Sequence, residues 1–231
     1  MDTQQVLGAS LIVIPILFNV IFGILAKNFD YPNILRFPTA EVLEKFSAGG
    51  SKLVLTWWSF MLTAVAFVPL AIAIPSVLDS QNQTLNNLIV GFGLIAGMVQ
   101  FIGLSRWVFL VPYLARESLK QDFAKSPMIE LILQSSNRYL GVAIGEHLGY
   151  MFTGLWSICT AFIFFGESNS HPILGLLGIA IGILLIICSL EFVGKNEEMG
   201  WKVAAKITPF VYIAWSLWLI SLGVMLLANL I

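Results

Sequence analysis

Val6-Leu7-Gly8-Ala9-Ser10-Leu11-Ile12-Val13-Ile14-Pro15-Ile16-Leu17-Phe18-Asn19-Val20-Ile21-Phe22-Gly23-Ile24-Leu25-Ala26 runs for 21 residues without a charged side chain. A helix needs about 20 mostly apolar residues, each rising about 1.5 Å, to cross a hydrocarbon core about 30 Å thick. Inside that core no water satisfies the backbone, so a segment of this kind must bond its own N–H and C=O groups, as a helix does. Five further stretches answer the same description: residues 53–77, 85–105, 139–165, 173–193 and 207–229. The third continues toward Ala115 through Pro112, where a kink onto the membrane surface is expected. The fold class is therefore an all-α membrane protein, a bundle of six transmembrane helices forming one integral membrane domain over residues 1–231.

The composition agrees with that reading. Of 231 residues 58% are hydrophobic and 11% charged, where soluble domains carry about 25%. Mean hydropathy is +0.89 and net charge is −1. A soluble enzyme and a disordered chain are excluded, and so is a nucleic-acid binder, which needs a basic surplus to neutralise phosphates. An outer-membrane barrel would alternate apolar and polar residues rather than run apolar.

The positive charges set the expected orientation. Lys27, Arg36, Lys45 and Lys52 follow the first span; Arg116, Lys120 and Lys125 follow the third; Lys195, Lys202 and Lys206 follow the fifth. Arg106 and Arg138 stand at the same ends of spans three and four. The other connections and both termini have none. The positive-inside rule then places both termini outside and these three connections in the cytosol. In the first connection Pro38-Thr39 precedes Val42, Glu44, Lys45 and Phe46, and Gly49-Gly50 follows. This predicts a short cytosolic surface helix near residues 40–48. Ser126-Pro127 reads as a helix start that runs into span four. Cys159 and Cys188 belong at different depths of antiparallel spans and are expected as free thiols.

Span four holds the chemistry. At about 100° per residue, Gly141 and Gly149 fall within about 40° of Gly145, and Arg138 and Trp156 share their stripe. A small-xxx-small ladder lets another helix backbone approach, so Gly141, Gly145 and Gly149 are helix-packing candidates and a face for a homo-oligomer or membrane partner. Glu146 lies about 100° round from that stripe and roughly 12 Å beyond Arg138 along the helix. A carboxylate at such depth is costly and must be paired, protonated or wet. His147 falls about 200° round, so the two side chains are expected on different faces unless a ligand sits between helices. Asn19, Gln100, Arg106, Arg138, Glu146, His147 and Glu191 all fall in the cytosolic half of their spans. They outline an expected polar pocket opening to the cytosol among spans one, three, four and five.

No HExxH, GxSxG, CxxC or P-loop is present. No metal site is expected, and one in-membrane histidine is too few for a bis-histidine haem. A haem would need a methionine or a second chain as its other ligand, and the sequence leaves the identity of any cofactor unknown.

Arg106-Trp107-Val108-Phe109-Leu110-Val111-Pro112-Tyr113-Leu114-Ala115-Arg116, and Gly145-Glu146-His147-Leu148-Gly149-Tyr150 with Leu155-Trp156, are familiar strings. They resemble a bacterial family of multi-pass membrane proteins known only as a domain of unknown function. The likeness is detailed over residues 100–156 and follows the hydropathy of most of the chain. It implies a bacterial inner-membrane protein and draws attention to Arg106, Glu146, His147 and Tyr150. Three kinds of function fit: handling of a small solute, ion or amphipathic ligand; a membrane-embedded enzyme or a haem- or quinone-binding protein; and a non-catalytic accessory subunit.

Overall fold

A computed structural model describes residues 2–78, 80–120, 127–166 and 171–231. Helix α1 spans Thr3–Phe29, α2 Thr39–Val77, α3 Gln83–Phe109, α4 Val111–Lys120, α5 Pro127–Ser136, α6 Gly149–Phe162, α7 Pro172–Ser189 and α8 Lys202–Leu227. Between α5 and α6 the chain is π-helical over Asn137–Leu148, so α5, this stretch and α6 form one rod. Six of the resulting rods are long and apolar enough to cross a membrane. They pack as a closed ring, each on its neighbour in sequence and α8 back on α1.

Side-chain bonds mark the two ends. At one end Gln4 donates to the Leu226 carbonyl at 3.0 Å and the His171 ring meets the Leu230 carbonyl. At the other, Arg36 pairs with Glu191 at 3.5 Å and Arg138 with Glu197. This second end carries the lysines and arginines and is called the basic end below.

Two aromatic cores fill the ring. Away from the basic end, Phe67 packs on Trp156 at 4.8 Å and on Trp215 at 5.6 Å. At the basic end Trp57 and Trp107 stack at 4.7 Å with Phe29 edge-on to both. The second core draws on α1 to α5 and takes nothing from α7 or α8. One side of the basic end is therefore solid and the other is not.

The short helix expected near residues 40–48 is present as residues 39–49, with Glu41 and Glu44 exposed on one face and Val42, Leu43 and Phe46 buried in the second core on the other. As expected, the glycines end that short helix: at Gly50, φ 54° and ψ −154°, the backbone leaves the helical region, and the second limb of α2 continues from the bend as the span. The structure corrects other expectations. The break after span three falls at Leu110, just before Pro112, and α4 packs against α2. Helix α7 stops at Ser189, so Glu191 stands in the turn beyond the span rather than inside it. Ser126 lies outside the described residues; α5 begins at Pro127. Cys159 and Cys188 are free thiols.

Candidate functional site

The rod made of α5, the π-helical stretch and α6 is the fourth of the six that can span a membrane, and the glycine ladder of this fourth rod faces α3. A Cβ on Gly103 would stand 2.5 Å from the Gly145 Cα, one on Gly149 2.8 Å from the Gln100 Cγ, and one on Gly141 2.5 Å from Arg106 Nη2. These residues lack side chains because α3 occupies the space. The expectation that this face receives a second copy or a membrane partner is corrected for the same reason: a helix of the same chain already covers it.

Arg106 is 5% exposed. Its Nε donates to Asn137 Oδ1 at 3.1 Å, its Nη1 donates to the Gly103 carbonyl, and its guanidinium lies 5.3 Å from the Trp107 ring centre. A buried guanidinium needs its donors satisfied. Here neutral acceptors and an aromatic ring supply that, and among the described residues no carboxylate is in contact.

Further along, α6 and α7 cross at Gly154 and Gly182, where a Cβ on either would stand within 2.6 Å of the other's carbonyl oxygen. Nearer the basic end the π-helical stretch touches α7 only sparsely. The two rods diverge there and leave a recess of about 190 Å³. The fourth rod contributes Arg138, Val142, Ala143, Glu146, His147 and Tyr150; the α7 side contributes Cys188, Ser189, Phe192 and Val193.

Glu146 and His147 thus open onto one recess, against the expectation that they face apart. Two physical facts account for it. Bonding from i to i+5 winds the π-helical stretch more widely than the α-helix assumed for the angular reading. The recess also lies between rods, so it takes side chains from both edges of one helix. His147 Nδ1 stands 2.7 Å from the Ser189 carbonyl. A carbonyl only accepts, so Nδ1 carries a proton and donates it here. The bond also satisfies a carbonyl in the last turn of α7, which has no partner within the helix.

Among the described residues, Glu146 makes neither an ion pair nor a hydrogen bond. Arg106, Glu191 and Arg36 act on it electrostatically from beyond contact. Tyr31, just past α1, is under the influence of both Glu146 and Arg106, and its burial pushes its phenol well above the ordinary value. Tyr150 meets Tyr212 edge to face at 5.2 Å, and the Tyr212 hydroxyl is buried without a partner among the described residues. At the mouth, Arg138 is engaged by Glu197.

Four of the expected residues line this recess: Arg138, Glu146, His147 and Tyr150. Four do not. Asn19 donates to the Pro15 carbonyl and to Ser216 Oγ at 2.9 Å, fastening α1 to α8. Gln100 donates to Thr153 Oγ1 at 3.1 Å. Arg106 is enclosed between α3 and the fourth rod, and Glu191 is turned to Arg36. The expected pocket among spans one, three, four and five is corrected to one between spans four and five. Phe192, Ser189 and Cys188 were not site candidates in sequence, because their part depends on where α7 ends. Tyr31 carried no local signal, being 115 positions from Glu146 in the chain.

The groups present are suited to hydrogen bonding and proton exchange. Among the described residues no cluster of three metal-ligating side chains occurs. The two histidines lie at opposite ends of the bundle, so one chain does not bring them to a single haem.

Residues 6–227 match the model of a family described as a domain of unknown function, DUF4386. No curated protein and no solved structure matches the chain.

Proposed function

This chain belongs to the DUF4386 family of unknown function, and we propose that it binds a small or amphipathic ligand in the recess between its fourth rod and α7. In this reading it is a multi-pass protein of a bacterial inner membrane with both termini outside, so the basic end is cytosolic. Glu146 and His147 Nε2 are the groups that hold the ligand or exchange a proton with it, and Tyr150 adds a hydroxyl. Transport of that ligand is the activity such a site serves most directly.

One observation carries the reading. Glu146 is half-buried at membrane depth, has no ion partner in contact among the described residues, and fronts a recess beside a histidine whose Nδ1 is held by the Ser189 carbonyl. A carboxylate at bilayer depth costs about 2.5–3.5 kcal/mol, and one on which its arginines act only from beyond contact is suited to a partner that comes and goes.

Accessibility tests it. In a background with Cys159 and Cys188 replaced by serine, Ala143→Cys should react with a membrane-impermeant thiol reagent in inside-out vesicles. Ser51→Cys, exposed beyond the bend of α2, is the positive control. Reaction of the control with no reaction at 143 overturns the reading.

A further inference from the structure

We propose that the connection between α7 and α8 is a flap that controls entry to this recess, held down by the Glu197–Arg138 ion pair and lifting as a unit when that pair parts. The inference rests on the recess reading above and concerns how a ligand reaches the site.

The loop is built as a unit. Residues 192–200 leave and rejoin the bundle at one neck, where the Trp201 N–H donates to the Glu191 carbonyl at 2.6 Å. Short surface loops whose ends meet in this way pack on themselves and commonly carry function. Inside the loop the Glu197 N–H donates to the Gly194 carbonyl at 3.1 Å and the Gly200 N–H to the Asn196 carbonyl at 2.8 Å. Gly194 and Gly200, at φ 65° and 75°, make the two reversals that this path needs and that residues with a Cβ disfavour. The Phe192 ring seats on the second reversal: a Cβ on Gly200 would stand 3.1 Å from Phe192 Cε1. Phe192 therefore goes where the loop goes.

The loop is also loosely attached. None of residues 192–200 belongs to the two buried cores, and Met199 is exposed. Arg36 pairs with Glu191 and so fixes the neck rather than the loop. Among the described residues, the side-chain bond that ties the loop itself to another element is Glu197 to Arg138. Arg138 stands on the fourth rod and lines one wall of the recess, while Phe192 and Val193 from the loop line the other. The ion pair therefore joins the two walls at the basic end. Its side chains are 47% and 66% exposed, and exposed pairs are weak and screened by salt. A self-bonded loop outside the buried cores, held by one such pair, is the kind of unit that opens locally while the bundle stays folded. Lifting it takes Phe192 and Val193 off the recess and widens the way to Glu146 and His147.

The test is the rate at which an uncharged, bulky thiol reagent, a maleimide on a polyethylene glycol chain, labels Ala143→Cys in inside-out vesicles, with Cys159 and Cys188 replaced by serine. Loop motion is fast against such labelling, so the rate follows the open fraction. Glu197→Gln should raise it about two- to fivefold, the factor that loss of an exposed ion pair gives. Arg138→Gln should act in the same direction, and the double variant should gain no more than either alone. Raising the salt from about 0.01 M to about 1 M shortens the screening length from about 30 Å to about 3 Å. That should speed labelling when Glu197 is present and not in Glu197→Gln. Ser51→Cys should keep one rate throughout, and Glu198→Gln, the neighbouring exposed acid, should leave position 143 unchanged. No change in Glu197→Gln, an equal gain in Glu198→Gln, or insensitivity to salt with Glu197 present overturns the flap. The small impermeant reagent separates the two readings. Where it labels position 143 and the bulky one labels at one rate in all variants, or not at all, only the flap fails; where neither reaches position 143, both fail.

Discussion

The Arg106 guanidinium rests on Gly141, and a methyl group at position 141 would stand 2.5 Å from its Nη2. The glycine is the space the arginine needs, and the arginine brings the charge that acts on Glu146 from beyond contact. One glycine therefore links the packing of α3 against the fourth rod to the electrostatics of the recess.

Gly141→Ala should lower Tm, because the guanidinium must leave Asn137 and the Gly103 carbonyl to admit the methyl. Overpacking of this kind costs about 1–3 kcal/mol. Arg106→Ala alone should also destabilise, by leaving Asn137 Oδ1 without its donor and the space beside Gly141 empty. In the double variant the methyl has free room, so the combined loss should be smaller than the sum of the two. Melting curves of the three variants measure this, and strict additivity would show that 106 and 141 act independently.

His147→Phe removes the donor that satisfies the Ser189 carbonyl and should cost about 1 kcal/mol. The damage should be local. Backbone amides just after Ser189 should exchange with deuterium faster than in the parent chain, while those around Trp156 in the distant aromatic core should not. Mass-resolved exchange reads both, and uniform acceleration would indicate general loosening instead.

Six spans were legible because hydropathy in a bilayer reports little except the requirement to bury a self-bonded backbone. The location of Glu146, His147, Arg138 and Tyr150 near one another could also be anticipated from their shared segment. What could not be read depends on contacts between distant residues. Asn19 is as polar as Gln100 in sequence, and only the approach of Ser216 shows that it fastens helices together. The relation of Glu146 to His147 was misjudged because a residue-by-residue angle presumes an α-helix, and nothing local announces Asn137–Leu148 as π-helical.

Glu191 predicts a pH response outside the span. Burial raises its carboxyl above the ordinary value of 4.5, and Arg36 pulls it partly back. A group whose native pKa is raised binds its proton more tightly when folded. Its stabilising contribution is complete below 4.5 and is lost as pH climbs through the raised value. Glu191→Gln should therefore flatten the fall of Tm on the alkaline side of that window. Arg36→Gln should steepen it and carry it to higher pH, by removing the charge that favours ionisation. Melting temperatures between about pH 4 and pH 8 test both, a span that brackets ordinary carboxyl and imidazole titration. Identical curves for parent and Glu191→Gln would rule the contribution out.

Gly23 and Gly50 offer a contrast in which side-chain packing has no part. A Cβ at either position meets nothing within 4 Å. Gly23 lies within α1, where alanine is favoured over glycine by about 1 kcal/mol, so Gly23→Ala should raise Tm. Gly50 has φ 54° and ψ −154°, a region that residues with a Cβ almost never enter. Gly50→Ala must either hold that strained backbone, at about 1–3 kcal/mol, or straighten α2. Straightening would pull Val42, Leu43 and Phe46 out of the core they share with Trp57 and Trp107. Either way Tm should fall, opposite in sign to Gly23→Ala although the two sites are equally empty. A rise in Tm for Gly50→Ala would mean that the bend is not required and that residues 39–49 are held by other contacts.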